Sequence, residues 1–144
     1  MHELTMTQRC NASPERVFAA WTEPDLMARW FAPGDMTVPE ATADLRVGGA
    51  WRVVMLDPAG QRHVVGGVYR EITPFTRLAF SWRWEGSEHS SEVEVGLRAD
   101  GAATELTLRH HELDSAASRD QHGKGWAGCL AKLATHFARE RQSP

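Results

Sequence analysis

The side chains with the most chemistry to offer in this sequence are its six tryptophans and seven histidines. Phe80, Trp82 and Trp84 recur at every second position, so they share one face of a strand, and Trp51 is expected on the same sheet face. Trp126 opens an apolar stripe at helical spacing. Aromatic rings on two facing walls suit a small apolar or planar ligand. Any one of these rings could equally fill a core, and the set as a whole is expected to include some that line a cavity. His110 follows Leu106 and Leu108 on one strand face, where it is either a satisfied structural residue or an acid or base facing the cleft. His111 points the opposite way and is expected in solvent. His122, just before Gly123, is placed to reach the mouth of a cleft, and His136 is read as a surface group near a helix end.

Other chemistries find little support. His110, His111, Glu112, Asp114 and His122 form the densest cluster of metal-ligating types, but their spacing fits no zinc motif, and adjacent histidines on a strand face opposite ways. No metal or other cofactor is therefore called for. There is no Gly-x-Ser-x-Gly, and neither Cys10 nor Cys129 sits at a helix start beside a histidine, so nucleophilic catalysis has no motif. The two cysteines are read as reduced core thiols rather than an end-to-end disulfide. Gly48-Gly49 and Gly66-Gly67 mark strand bends and lack the helix that a phosphate loop needs.

The net charge of -3 and a pI of about 6.1 leave no basic footprint for nucleic acid or an anionic membrane. No apolar run approaches the roughly 20 residues of a membrane span, and the first residues lack the features of a signal peptide, so a cytoplasmic location is expected. At 144 residues the chain reads as one domain, 1-144.

The elements that position these residues follow from periodicity. Leu4 to Cys10 alternates as a strand. Ser13-Pro14-Glu15 is a cap, a first-turn proline and a dipole-complementing acid, starting a short helix to about Trp21. Pro24 restarts a second short helix, Asp25 to about Trp30, and Pro33-Gly34 stops the chain from continuing it. Met36 to Ala43 reads as an edge strand because of Pro39. Strands then run through Trp51–Met55, His63–Ile72, Leu78–Trp84, Val93–Leu97 and Leu106–His110. Turns at Asp57-Pro58-Ala59-Gly60, Thr73-Pro74-Phe75-Thr76, Gly86-Ser87-Glu88 and Asp100-Gly101 separate them. Such short turns leave no room for crossover helices, so the sheet is an antiparallel meander. Arg52, Arg70 and Arg83 are expected on its solvated face, and Glu71 and Arg77 are placed to pair across the Thr73-Pro74 turn. From about Ala116 to Arg141 the period changes: Trp126, Cys129, Leu130, Leu133 and Phe137 form one stripe, with Arg139 and Arg141 complementing the helix C-terminus. The stripe can be buried only against the sheet. The fold class is thus α+β, a curved antiparallel sheet wrapped around a long C-terminal helix, with two short helices after the first strand.

This ordered set resembles the START-like (SRPBCC) superfamily, with its helix-grip architecture. It is most similar to the branch named for the C-terminal domain of the activator of the heat-shock chaperone ATPase. The resemblance is carried by Ala12 to Trp21, Pro24-Asp25-Leu26 with Arg29-Trp30-Phe31, Gly48-Gly49 before Trp51, Glu71-Ile72-Thr73-Pro74 before Arg77-Leu78, and Gly125-Trp126 with Leu130. It implies an internal cleft between sheet and C-terminal helix. Within the superfamily such clefts hold hydrophobic metabolites, or serve cyclases and dehydratases, while other members regulate chaperones. Binding of a small hydrophobic or aromatic ligand without catalysis is the expected function. A protein-interaction module in stress response and a cyclase- or dehydratase-type enzyme are the alternatives. The residues expected to line the cleft are Trp30, Trp51, Val53, Met55, Phe80, Trp82, Trp84, Leu108, His110, Trp126 and Leu133. The expected partner is a small hydrophobic molecule or a protein in its place, for a monomer or homodimer.

Overall fold

Period-two alternation resolves into seven strands, and the two breaks in that period into helices. The computed structural model describes the backbone of residues 2–142 and the side chains of residues 2–138. The side chains of Arg139 and Arg141 lie outside the described residues. In chain order the elements are β1 (His2–Cys10), α1 (Pro14–Thr22), α2 (Pro24–Met27), β2 (Thr37–Ala43), β3 (Ala50–Leu56), β4 (Arg62–Thr73), β5 (Arg77–Trp84), β6 (Ser91–Asp100), β7 (Ala103–Leu113) and α3 (Ala116–Gln142). The sheet order is β1-β7-β6-β5-β4-β3-β2, and every neighbouring pair is antiparallel. Only β1 pairs out of sequence, closing against β7 after both short helices.

Local chemistry sets the boundaries. Ser13 caps α1 by accepting from the Arg16 amide at 3.4 Å, and Pro14 occupies the first turn. Ser115 caps α3 in the same way, accepting from the Ser118 amide at 3.0 Å. β2 is an edge strand, and its register slips between Thr37 and Glu40, around Pro39, which has no amide to donate to the ladder. Gly101 adopts φ 63° in the tight turn between the paired Asp100 and Ala103.

One local expectation is corrected. The second helix does not reach Trp30. After Met27 the amides of Arg29 and Trp30 bond to carbonyls only three residues back, Leu26 and Met27. This tighter winding turns Trp30 and Phe31 into the core just before Pro33 ends the segment. The alternation of β7 is interrupted. Glu112 adopts φ 63° where the pairing with β1 shifts register, so Leu113 returns to the core face after His111 faces outward.

The core lies between the sheet and α3, with α1 and α2 closing one end. It is dominated by rings. Trp21 meets Trp30 at a centroid distance of 4.5 Å and stacks on Trp126 at 5.8 Å. Phe31 is the hub: its ring contacts those of Trp21, Trp30, Trp51, Trp82 and Trp126.

Candidate functional site

The large apolar side chains do not fill all of the space between sheet and helix. A cavity of about 460 Å³ remains toward the end where α3 begins. Its sheet wall is Met55 of β3 with Trp82 and Trp84 of β5; its helix wall is Gln121, His122, Gly125, Trp126 and Cys129 of α3. Pro33 and Met36, from the segment before β2, close one side, and Asp57 and His63 stand at the β3–β4 hairpin. Two glycines of the helix face different surroundings. Gly128 lets α3 approach Pro33, since a Cβ there would stand only 3.0 Å from the Pro33 Cβ. At Gly125, by contrast, a Cβ would meet nothing within 4 Å.

Of the cleft-lining residues expected from sequence, Met55, Trp82, Trp84 and Trp126 face this cavity. The others lie elsewhere. Val53, Leu108 and Leu133 are fully buried in packed core. Trp51 and Phe80 pack edge to face at 5.2 Å beside a void of about 10 Å³. Trp30 donates its indole N–H to the Ala20 carbonyl at 2.9 Å and borders a separate outer groove with Arg29, Lys132 and His136. At this division lies Phe31, read from sequence only as part of a helix end. Its ring packs on Trp51 at 5.9 Å and on Trp82 at 6.0 Å, filling the core beside the cavity.

His110 is also behind the wall. It is completely buried, accepts at Nδ1 from the Trp126 indole at 3.0 Å, and lies 2.7 Å from Ser91 Oγ through Nε2. With Nδ1 accepting, a neutral ring carries its hydrogen on Nε2 and donates to Ser91. Ser91 in turn donates to the Trp82 carbonyl at 3.4 Å. Burial, with smaller contributions from His122 and His111, pushes the His110 pKa down to about 3. The chain Trp126–His110–Ser91–Trp82 thus ties the two aromatic walls together.

His122 does reach the cavity. Its Nδ1 donates to the Ser118 carbonyl at 2.7 Å, and its Nε2 accepts from the Trp84 indole at 3.0 Å. The His122 ring packs on His110 at 4.9 Å. His111 faces the outer surface and contacts Glu94 at 3.2 Å. Among the described residues no group of three His, Cys, Asp or Glu side chains is placed to hold a metal. Both cysteines are buried and unbridged; burial raises Cys10 to about 11 and Cys129 to about 12, so neither is a thiolate near neutrality. Trp82, although on the cavity wall, keeps a buried indole N–H without a partner among the described residues.

Three polar residues of the cavity, Asp57, His63 and Gln121, were not singled out as site residues in the sequence. His63 Nε2 lies 2.9 Å from Asp57 Oδ2, while Asp57 Oδ1 accepts from the amides of Ala59 at 3.0 Å and Gln61 at 2.9 Å. The hydrogen bond from His63, then that from Gln61, holds the Asp57 carboxyl below its usual range. The available signal was parity. His63 shares the face of the buried Val65 and pairs with Met55 across the hairpin, so it had to point toward the cleft.

Among the described residues no helix is long and apolar enough to cross a membrane. A sequence model of the activator of Hsp90 ATPase homolog 1-like protein family matches residues 11–138. No curated protein matches the chain. Solved structures do. The AHSA1 protein SPO3351 from Silicibacter pomeroyi superposes with a TM-score of 0.86 at 29% identity, over 96% of this chain and 99% of that one. CV1439 from Chromobacterium violaceum gives 0.85 at 27%, over 95% and 98%. CalU16 from Micromonospora echinospora gives 0.73 at 31%, over 97% and 78%.

Proposed function

Since the chain belongs to the family of activator of Hsp90 ATPase homolog 1-like proteins, with the START-like helix-grip fold, we propose that it binds a small hydrophobic, aromatic molecule in the cavity between its sheet and α3. The observation that carries this reading is the cavity itself. Its volume of about 460 Å³ suits one compact ligand, and Trp82, Trp84, Trp126, Met36 and Met55 make its lining apolar and polarizable. Two of those tryptophans are held by histidines behind or beside them, Trp126 by His110 and Trp84 by His122, so the walls are set before a ligand arrives. The cavity thiol of Cys129 is protonated at neutral pH, because burial raises it to about 12.

The test is tryptophan fluorescence and thermal unfolding during titration with sterols, flavonoids, fatty acids and fused-ring aromatics. A ligand at about a hundred times its Kd should stabilise the fold by about 2.7 kcal/mol. Gly125→Leu supplies the control. Its side chain would extend from the helix wall, where an added Cβ meets no atom, into the cavity. The variant is expected to fold with unchanged or slightly higher stability and to lose binding by at least about tenfold, a loss of about 1.4 kcal/mol. Undiminished binding in that variant would place the ligand elsewhere.

A further inference from the structure

With the cavity taken as the ligand site proposed above, the hairpin that joins β3 to β4 borders it with two polar side chains, Asp57 and His63. Asp57 is not a loose surface acid. Two backbone amides hold Oδ1, and Oδ2 faces His63 Nε2 at 2.9 Å. A carboxylate only accepts, so Nε2 must carry the hydrogen of that contact, and the neutral imidazole is left with its lone pair on Nδ1. Among the described residues Nδ1 has no hydrogen-bond partner. His63 also has the inward parity of β4: it pairs with Met55, and both border the cavity. The opposite rim, Gln121 and His122, offers no competing charge pair; the His122 ring nitrogens are engaged by Trp84 and by Ser118. The space thus has an aromatic interior and, at its edge, a neutral-imidazole acceptor oriented by Asp57.

We infer that the Asp57–His63 pair is a hydroxyl-recognition site, in which His63 Nδ1 accepts a hydrogen bond from a phenolic or enolic O–H at the outer end of a planar apolar ligand. Asp57 is the positioning residue. It fixes which nitrogen accepts, and so makes the mouth select for donors over acceptors of the same shape.

The experiment is calorimetric titration of the full chain with 2-naphthol and with its methyl ether, 2-methoxynaphthalene. The wild type should bind naphthol about fivefold tighter, the ratio given by a net hydrogen bond of about 1 kcal/mol. His63→Leu should bind both compounds with the preference gone. Asp57→Asn is the sharper variant. Its amide oxygen can still accept from Ala59 and Gln61, while its NH2 group donates to Nε2. That moves the imidazole hydrogen to Nδ1 and turns the acceptor into a donor, so the preference should vanish or invert toward the ether. A structural role alone would change both affinities together and leave their ratio fixed. A wild-type ratio near one, or a ratio that survives both substitutions, overturns the inference while the ether's binding upholds the cavity. If neither compound binds the wild type, the cavity reading falls and the hydroxyl site falls with it.

Discussion

His110 shows how one side chain can join the two walls of this fold at a cost that depends on pH. Its pKa is pushed down to about 3 from an ordinary 6.5, first by burial. The unfolded chain therefore binds a proton near pH 6.5 that the folded chain refuses until near pH 3. The stability that the neutral ring contributes is fully present above 6.5 and falls away as the pH drops through that window. We expect the urea midpoint of the wild type to decline from pH 7.5 to pH 4.5, before most carboxylates titrate. His110→Gln should be less stable at pH 7.5 by about 1–3 kcal/mol, because it disturbs the partners of Trp126 and Ser91. It should also show a much shallower decline over the same range. Equal slopes in the two proteins would mean that the ring is not kept neutral by burial. The sequence placed His110 on the inner face, but parity cannot tell a wall residue from one behind the wall. That distinction depends on Trp126 lying over it, a contact between elements distant in the chain.

At the scale of elements, two glycines have opposite roles. Gly67 lies in β4 where the strand passes β5, and a Cβ there would stand 2.0 Å from the Ser81 carbonyl oxygen and 2.5 Å from its hydroxyl. That hydroxyl also accepts from the Val68 amide at 2.8 Å, so it cannot simply move aside. Gly67→Ala should destabilise the fold by about 3 kcal/mol, the upper end for overpacking. Gly125 lies within a helix with open space beside it, and Gly125→Ala should stabilise by about 0.5–1 kcal/mol through helix propensity alone. Chemical denaturation of the pair checks both signs, and a stable Gly67→Ala protein would contradict the close approach of β4 to β5. The strands and α3 were legible in the sequence because a period of two and a period near 3.6 leave different apolar patterns. Turn residues such as Asp57 and Asp100-Gly101 set the hairpins. The course of Trp30 to Gly34 was not legible: whether Phe31 points out or plugs the centre depends on how a short, tightly wound segment lands on a sheet formed by later residues. That one ring packs against both Trp51 of the filled core and Trp82 of the cavity wall.

For the molecule as a whole, the sheet's outer face is joined by charge as its inner face is by aromatic rings. Glu3 of β1, Arg109 of β7, Glu94 of β6, Arg77 of β5 and Glu71 of β4 form a continuous ladder. Arg109 reaches Glu3 and Glu94 at 2.7 Å each, and Arg77 bonds Glu94 as well as Glu71, the latter at 2.8 Å. Glu94 is the centre. Burial would raise its carboxyl, but hydrogen bonds from Arg77 and Arg109 outweigh this and hold it below the ordinary 4.5. The carboxyls of Glu3 and Glu71 are lowered too, each first by its arginine hydrogen bond. The sign is the same as for His110, since these pKa values are lowered too, but the cause differs: the arginines favour the charged carboxylate, whereas burial disfavours the charged imidazole. Their contribution is present above 4.5 and is lost as the pH falls through the lowered folded values. The ladder spans strands brought together from both ends of the chain, so its loss should loosen the sheet beside β1, the strand that closes the fold. Solvent screening limits the Glu94 contribution to about 1 kcal/mol at neutral pH. Glu94→Gln should therefore unfold about 1 kcal/mol more easily at pH 7, and that difference should shrink as the pH falls below 4.5. It should also narrow in high salt, where exposed pairs are screened. Amide hydrogen exchange in β1 and β7 gives the local readout: faster exchange there, with β3 and β4 unchanged, is the pattern a closing ladder requires, whereas uniform acceleration across the sheet would reduce Glu94 to an ordinary surface acid.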